Sequence, residues 1–342
     1  MGIPATEAVE FVEGPILEGP PPKGKEKAFH GRSPLQIAFG RLRRDKVAVV
    51  CAVLILILVL LAVFATVINN AMQISGTTDG EYALDGATAL EFDGLPAMGP
   101  PLHPFTADHP LGIAPQTAHD NLARLLLGLR TSLIIATLAT LISTLVGIVL
   151  GLMAGFSRGW LDRIISFIID TFLSFPFLLG ALAMTPILVD RFGSSAESLA
   201  RAQIVALVAI LVLFGWMGLA RLIRGQVLSL REREFIQAAQ VIGAPTRRIL
   251  FKELLPNLVA PIVISISLGL PAYVGAEATL SFLGIGLTGT PSLGQIVNQA
   301  AKFYDQYPLY LYAPVIVIAV LVLTLNLLGD AVRDAFDPKT RR

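Results

Sequence analysis

The stretch closest to a catalytic motif lies near the N-terminus, where Gly19, Gly24 and Lys25 have the spacing of a phosphate-binding loop. That motif requires Ser or Thr after its lysine to hold magnesium, and the next residue here is Glu26. Three consecutive prolines between the glycines also remove backbone N–H groups that would cradle a phosphate. We therefore predict no nucleotide site here, and no bound cofactor elsewhere in the chain.

Three histidines, His103, His109 and His119, are the candidate metal ligands. Their spacing fits neither a zinc finger nor an HExxH helix, and no cysteine accompanies them. We interpret them as solvated loop residues, with a metal site as the alternative. No serine or cysteine nucleophile has a suitably placed base, so we predict that the chain is not an enzyme.

Two carboxylates interrupt otherwise apolar runs, where ionisable residues are costly and suggest function. Asp170 either faces a translocation cavity or hydrogen-bonds to a neighbouring helix. Glu277 lies nearer the outer end of its run, where it could reach the membrane interface, and a structural role is favoured for it. Neither has an obvious opposite charge within a run, and no chain of acidic residues crosses the membrane, which argues against a proton-coupled carrier. Pro271, between two glycines, is a candidate hinge or a static kink.

Long apolar runs dominate the sequence. Hydrophobic residues make up 54% of the chain and charged residues 15%, whereas soluble domains carry about 25% charged residues. Six runs approach or exceed the roughly 20 residues that a transmembrane helix needs: 47–68, 131–155, 164–189, 202–220, 259–287 and 310–329. We predict an all-α membrane protein with six transmembrane helices, and breaks at Pro176, Pro271 and Pro314.

The basic residues orient these spans. The two termini and the loops after the second and fourth spans hold 21 of the 26 Lys and Arg residues. Since basic residues concentrate on the cytoplasmic side, both termini are predicted to be cytoplasmic. The predicted organisation is a disordered, basic cytoplasmic tail (1–45), a first transmembrane helix (46–68), an extracytoplasmic loop ending in an interfacial helix from Asp120 (69–129), a transmembrane domain (130–329) and a cytoplasmic tail (330–342).

The loop between the fourth and fifth spans, residues 229–257, carries a distinctive pattern. Phe235, Ala238, Ala239 and Ile242 recur at helical spacing, so they predict one apolar face of a short helix. Gly243 can take the left-handed conformation that ends a helix, and Pro245 fits the first turn of a second one. A rigid helix–glycine–helix element with an exposed apolar face indicates a protein partner.

The same loop resembles the EAA loop of ABC-importer permeases in Gln237, Ala238, Ala239, Gly243, Leu255 and Pro256. Gln237 replaces the usual glutamate of that loop. Further stretches, 109–112, 277–284 and 326–338, resemble the C-type permeases of the oligopeptide and dipeptide branch. The sequence after residue 112 departs from that branch.

This resemblance implies a type I ABC-importer permease fold in the cytoplasmic membrane. It also implies peptide import, with the 229–257 loop docking into a separate ATPase. The implied partners are a homologous second permease, two ATPase subunits and an extracytoplasmic substrate-binding protein. A nickel or metal-chelate importer and a secondary transporter without an ATPase are the alternatives.

Overall fold

The structure, a computed structural model, describes residues 34–77, 82–85, 89–91, 94–96, 104–157, 159–192, 196–287 and 290–337. Most of the predicted 1–45 tail lies outside these residues, but its described end forms a helix that the sequence analysis did not predict. The principal helices are α1 (Pro34–Leu42), α2 (Lys46–Val63), α3 (Ala65–Ala71), α4 (Asn121–Phe156), α5 (Trp160–Ser174), α6 (Phe177–Phe192), α7 (Ala196–Arg231), α8 (Glu234–Val241), α9 (Val259–Phe282), α10 (Leu293–Ala300) and α11 (Pro308–Phe336).

Five of these helices are long and apolar enough to cross a membrane: α2, α4, α7, α9 and α11. Together, α5 and the first part of α6 would make a sixth crossing, bent by 89°. The helical, multi-pass fold is therefore confirmed, but the third predicted span is two helices rather than one.

One proline, Pro176, accounts for this bend. The other two predicted breaks, at Pro271 and Pro314, do not occur. Phe175 is extended (φ −83°, ψ 131°), as expected for a residue before proline, and Pro176 lies between the two helices. Pro271 and Pro314 lie inside the continuous helices α9 and α11. Both side chains are buried, and packing against neighbouring elements makes a proline tolerable within a membrane helix.

Helix α4 begins earlier than the predicted second span. The Asp120 carboxylate caps it by accepting a 2.8 Å hydrogen bond from the Ala123 amide. The interfacial helix predicted from Asp120 is thus the first part of α4. Leu125 and Leu129 in this part are buried inside the protein, where they pack with Leu293 of α10 and Leu321 of α11.

Close contact between α4 and α7 forms the centre of the fold. Gly147, Gly151 and Gly155 recur every four residues on the α4 face that meets α7. A Cβ atom added at Gly151 would lie 2.8 Å from both the Ala220 carbonyl oxygen and the Ile223 Cβ atom. Glycines at this spacing let two membrane helices approach closely, so α7 is held along the end of α4 that precedes Phe156.

The ends of the described chain meet at α1 and α11. The Arg41 guanidinium donates hydrogen bonds of 3.1 Å to the carbonyl oxygens of Ala335 and Asp337. A cation at a helix C-terminus satisfies free carbonyl groups and complements the helix dipole. This contact fixes α1 against the last turn of α11.

Candidate functional site

Residues 229–257, here called the coupling loop, comprise the last residues of α7, the short helix α8 and a second helical segment. Glu234 lies in the first turn of α8, where a negative charge is favourable. At its end, the Ala244 amide donates to the Ala239 carbonyl and the Gly243 amide to the Gln240 carbonyl, both at 3.0 Å. With Gly243 at φ +80°, this is a Schellman motif, which confirms the predicted left-handed helix end.

The second half of the coupling loop is one helical segment, residues 246–257, with changing geometry. Pro245 caps it with extended backbone (φ −65°, ψ 145°), one position before the predicted first turn. Residues Ile249–Leu254 are π-helical, and the Leu255 amide donates to the Leu250 carbonyl five residues earlier. Pro256 has no N–H, so it cannot donate the usual α-helical hydrogen bond to the carbonyl of Lys252. The wider π-helical turn before it accommodates this loss.

Three buried side chains attach the coupling loop to the transmembrane helices. Ile236, Ile249 and Leu254 are at most 2% exposed. They pack with Leu152 of α4 and with Ile223 and Val227 of α7. Burying an aliphatic side chain of this size contributes about 1.5–3 kcal/mol, so both halves of the loop are firmly held.

The outward side of the coupling loop is an apolar patch, which we define as Phe235, Val241, Ile242 and Phe251. These residues are 43%, 87%, 84% and 59% exposed, respectively. Apolar side chains exposed this strongly on a braced loop are typical of a protein interaction site.

The predicted apolar face of α8 is therefore divided. Phe235, Ala238 and Ile242 are exposed, whereas Ala239 is half-buried and packs towards the membrane helices. Gln237 is exposed, and its side-chain amide donates to the Glu232 carbonyl at 3.3 Å. Of the other predicted positions, Leu255 is half-buried in the same cluster and Pro256 is exposed.

Sequence reasoning missed the buried anchor Ile236 and the exposed Val241. Apolar residues occupy most positions around α8, so periodicity alone did not distinguish its inner side from its outer side.

Two ion pairs connect α5 to α7. Asp162 accepts hydrogen bonds from both Nε (2.6 Å) and Nη2 (3.0 Å) of Arg224. Asp170 accepts one from Arg221 at 2.5 Å. The structure thus supports the helix-to-helix hydrogen bond considered for Asp170, with a partner that lies one residue beyond the predicted run 202–220.

Glu277 is fully buried, which contradicts the expectation that it could reach the membrane interface. The Ser281 hydroxyl donates to its Oε1 at 2.7 Å. The Ser292 side chain, also fully buried, caps α10. This arrangement agrees with a structural role for Glu277 at the junction of α9 and α10.

A cavity of about 380 Å³ lies between α4, α7 and α9. Its lining combines small, hydroxyl-bearing and apolar residues, among them Thr140, Ser143, Gly215, Leu268 and Tyr273. A Cβ atom at Gly215 would overlap the Tyr273 hydroxyl, so glycine makes room for this ring. Asp170, Pro271 and Glu277, the predicted pathway and hinge residues, do not line this cavity.

The described residues 104–120, which precede α4, contain two of the three candidate histidines. His109 is 7% exposed, and its Nδ1 atom lies 2.8 Å from Asp120 Oδ2. Burial, together with the positive charge of Arg124, lowers the pKa of His119 to about 4. The prediction of solvated histidines is wrong for these two, and His103 lies outside the described residues. Among the described residues, no three His, Cys, Asp or Glu side chains are grouped as a metal site.

Arg124 is the buried centre of a network that the sequence did not reveal. It is 4% exposed and donates to the Tyr310 hydroxyl at 3.0 Å and to the side-chain oxygen of Gln299. These partners lie 186 and 175 residues away in the chain, so no local pattern predicts them. The network holds the start of α4 against α10 and α11.

Comparisons with known proteins agree with this architecture. Residues 147–342 match the family model for the inner membrane component of binding-protein-dependent transport systems. Residues 33–82 match the N-terminal transmembrane domain of oligopeptide transport permease C.

Individual relatives extend the match over the whole chain. The dipeptide transport system permease protein DppC of Alkalihalophilus pseudofirmus is 32% identical over 98% of this chain and 99% of its own length. The glutathione transport system permease protein GsiD of Escherichia coli is 33% identical, with 91% and 92% covered. These relatives do not favour the metal-chelate or secondary-transporter alternatives.

A solved structure gives the fold. One structure of the MetNI methionine ABC transporter aligns with a TM-score of 0.50 at 21% identity, covering 63% of this chain and 96% of that one. The predicted resemblance is confirmed: the chain belongs to the inner-membrane components of binding-protein-dependent ABC transport systems, in the dipeptide and oligopeptide permease branch.

Proposed function

We propose that this permease carries di- and oligopeptides across the cytoplasmic membrane into the cell as one subunit of an ATP-dependent importer. Relatives with dipeptide and glutathione transport names support a peptide cargo. The distribution of basic residues supports cytoplasmic termini and a cytoplasmic coupling loop. A homologous permease, two ATPase subunits and an extracytoplasmic binding protein complete the proposed assembly.

The apolar patch of the coupling loop is the observation that carries this proposal. It is exposed, while Ile236 and Leu254 beneath it are completely buried. A partner that binds Val241 and Ile242 can therefore push on α4 and α7 without first deforming the loop. We assign this contact to the ATPase, so that closure of the two ATPase subunits tilts the transmembrane helices.

The cavity between α4, α7 and α9 is the proposed contribution of this chain to the peptide pathway. Hydroxyl groups of the half-buried Ser265 and Tyr273 can hydrogen-bond to peptide groups, while Leu268 offers apolar surface. This mixed lining suits backbone recognition with little discrimination among side chains. Asp170, Pro271 and Glu277 are proposed to support helix packing rather than to contact the peptide.

Charging the apolar patch tests the coupling role. In Ile242→Asp we expect ATP-driven peptide uptake and co-purification of the ATPase to be lost, because a carboxylate would be desolvated in the contact. Ile242→Leu is the matched control and should retain both peptide uptake and co-purification of the ATPase. Ala239 is unsuitable for this test, since its half-buried side chain also holds the loop to the protein.

The experiment distinguishes failed coupling from failed folding. The amount of permease in the membrane fraction should be the same for wild type, Ile242→Asp and Ile242→Leu. Normal peptide uptake by Ile242→Asp at wild-type membrane levels would contradict the proposed docking role. ATPase-independent uptake by liposomes containing the permease alone would contradict the ABC-importer mechanism.

A further inference from the structure

An apolar groove of about 510 Å³ opens on the membrane side of the protein, between α2 and α4. Its α2 wall is formed by Ile55, Val59, Ala62 and Val63, which share one helix face. On the floor, Leu325 of α11 is buried and Leu270 of α9 is half-buried. The groove is separate from the coupling loop and from the proposed peptide cavity.

The α4 wall joins this apolar surface to one positive charge. Leu133, Ile134, Thr137 and Leu138 follow Arg130 at helical spacing, so all five lie on one side of α4 and line the groove. Arg130 is exposed, and its Nη1 atom lies 3.3 Å from the Thr66 hydroxyl. Within the described part of the chain, no carboxylate forms an ion pair with Arg130.

The position of Arg130 matches the boundary between lipid headgroups and acyl chains. It directly precedes the uncharged run 131–155, so its guanidinium lies where the apolar part of α4 begins. From Arg130 to Leu138 is eight residues, or about 12 Å along a helix. One leaflet of the hydrocarbon core is about 15 Å thick, so the groove follows most of an acyl chain.

We propose that this groove binds a membrane phospholipid, with one acyl chain between α2 and α4 and the phosphate on Arg130 and Thr66. An arginine and a hydroxyl at the polar end can both donate to phosphate oxygens. Apart from Thr137, the walls beyond Arg130 are apolar and suit an acyl chain better than a polar peptide. Bound in this way, the lipid belongs to the leaflet on the side of residues 72–120 and fills a gap that α2 leaves against α4.

The lipid can be measured directly on the purified transporter complex. We would extract the complex in mild detergent, add phosphatidylglycerol, and count retained phospholipid by native mass spectrometry. Arg130→Gln should reduce retention about tenfold through loss of charged hydrogen bonds, while Arg130→Lys should lose less. Thr137→Trp should also reduce retention, because the indole would occupy the groove.

The control is Arg163→Gln, an exposed arginine that does not line the groove. It should retain phospholipid like the wild type. Size-exclusion profiles and unfolding temperatures establish that each variant is folded. Wild-type retention in either Arg130→Gln or Thr137→Trp would overturn the proposal. Efficient oxidative disulfide crosslinking of Thr137→Cys to a cysteine introduced in the second permease would also overturn it, since a protein would then fill the groove.

Discussion

The left-handed residue of the coupling loop allows a test in which backbone strain is the main variable. Gly243 has φ +80°, and a Cβ atom added there would meet no other atom within 4 Å. Gly243→Ala therefore introduces no clash, only the cost of a left-handed conformation, about 1–2 kcal/mol for an L-residue. If this strain is released by opening of the Schellman motif, the opening equilibrium rises about 5- to 30-fold.

Hydrogen exchange at the amides of Gly243 and Ala244 measures this opening. Both amides donate within the Schellman motif, so their exchange should accelerate by the same 5- to 30-fold. Gly243→Asn should exchange more slowly than Gly243→Ala, because asparagine tolerates the left-handed region. If the stiffness of the loop transmits force, peptide uptake per ATP hydrolysed should fall from wild type to Gly243→Asn and be lowest in Gly243→Ala.

The matched control is Gly225→Ala in α7. This position is also exposed and has no atom within 4 Å of an added Cβ, but it lies within an α-helix and has no positive φ. Alanine should be neutral or slightly stabilising there. Unchanged exchange in Gly243→Ala, or equal acceleration in both variants, would refute the argument from backbone conformation.

Two further perturbations test other parts of the fold. Gly151→Ala should destabilise the protein by about 1–3 kcal/mol, because its Cβ atom would press on Ala220 and Ile223. The midpoint of thermal unfolding should be lower for Gly151→Ala than for Gly225→Ala. Equal midpoints would contradict close α4–α7 packing. Because the pKa of His119 is lowered to about 4, the unfolded segment binds a proton that the folded one does not between about pH 6.5 and 4. Stability of the segment before α4 should therefore fall as the pH drops through this range. Limited proteolysis should accelerate more steeply in the wild type than in His119→Gln, and identical pH profiles would contradict the burial of this histidine.

Much of the architecture follows from the sequence, because its signals are local. Uninterrupted apolar runs have the length of a membrane crossing, so the helical, multi-pass class was predictable. The break at Pro176 follows from the chemistry of one residue and its predecessor, and the left-handed turn at Gly243 from the lack of a side chain. The spacing of Ala238, Ala239 and Gly243 led to the family that the comparisons confirmed.

Contacts between residues distant in sequence were decided only by the tertiary structure. The pairing of Asp170 with Arg221, 51 residues later, requires α5 to fold back along α7. Burial of Arg124 depends on α10 and α11 closing over the start of α4. In α8, only packing against α4 and α7 shows that Ile236 faces inward and Ile242 outward. The two isoleucines are equally hydrophobic, so the sequence favours burial of both, and the neighbouring helices decide which one is buried.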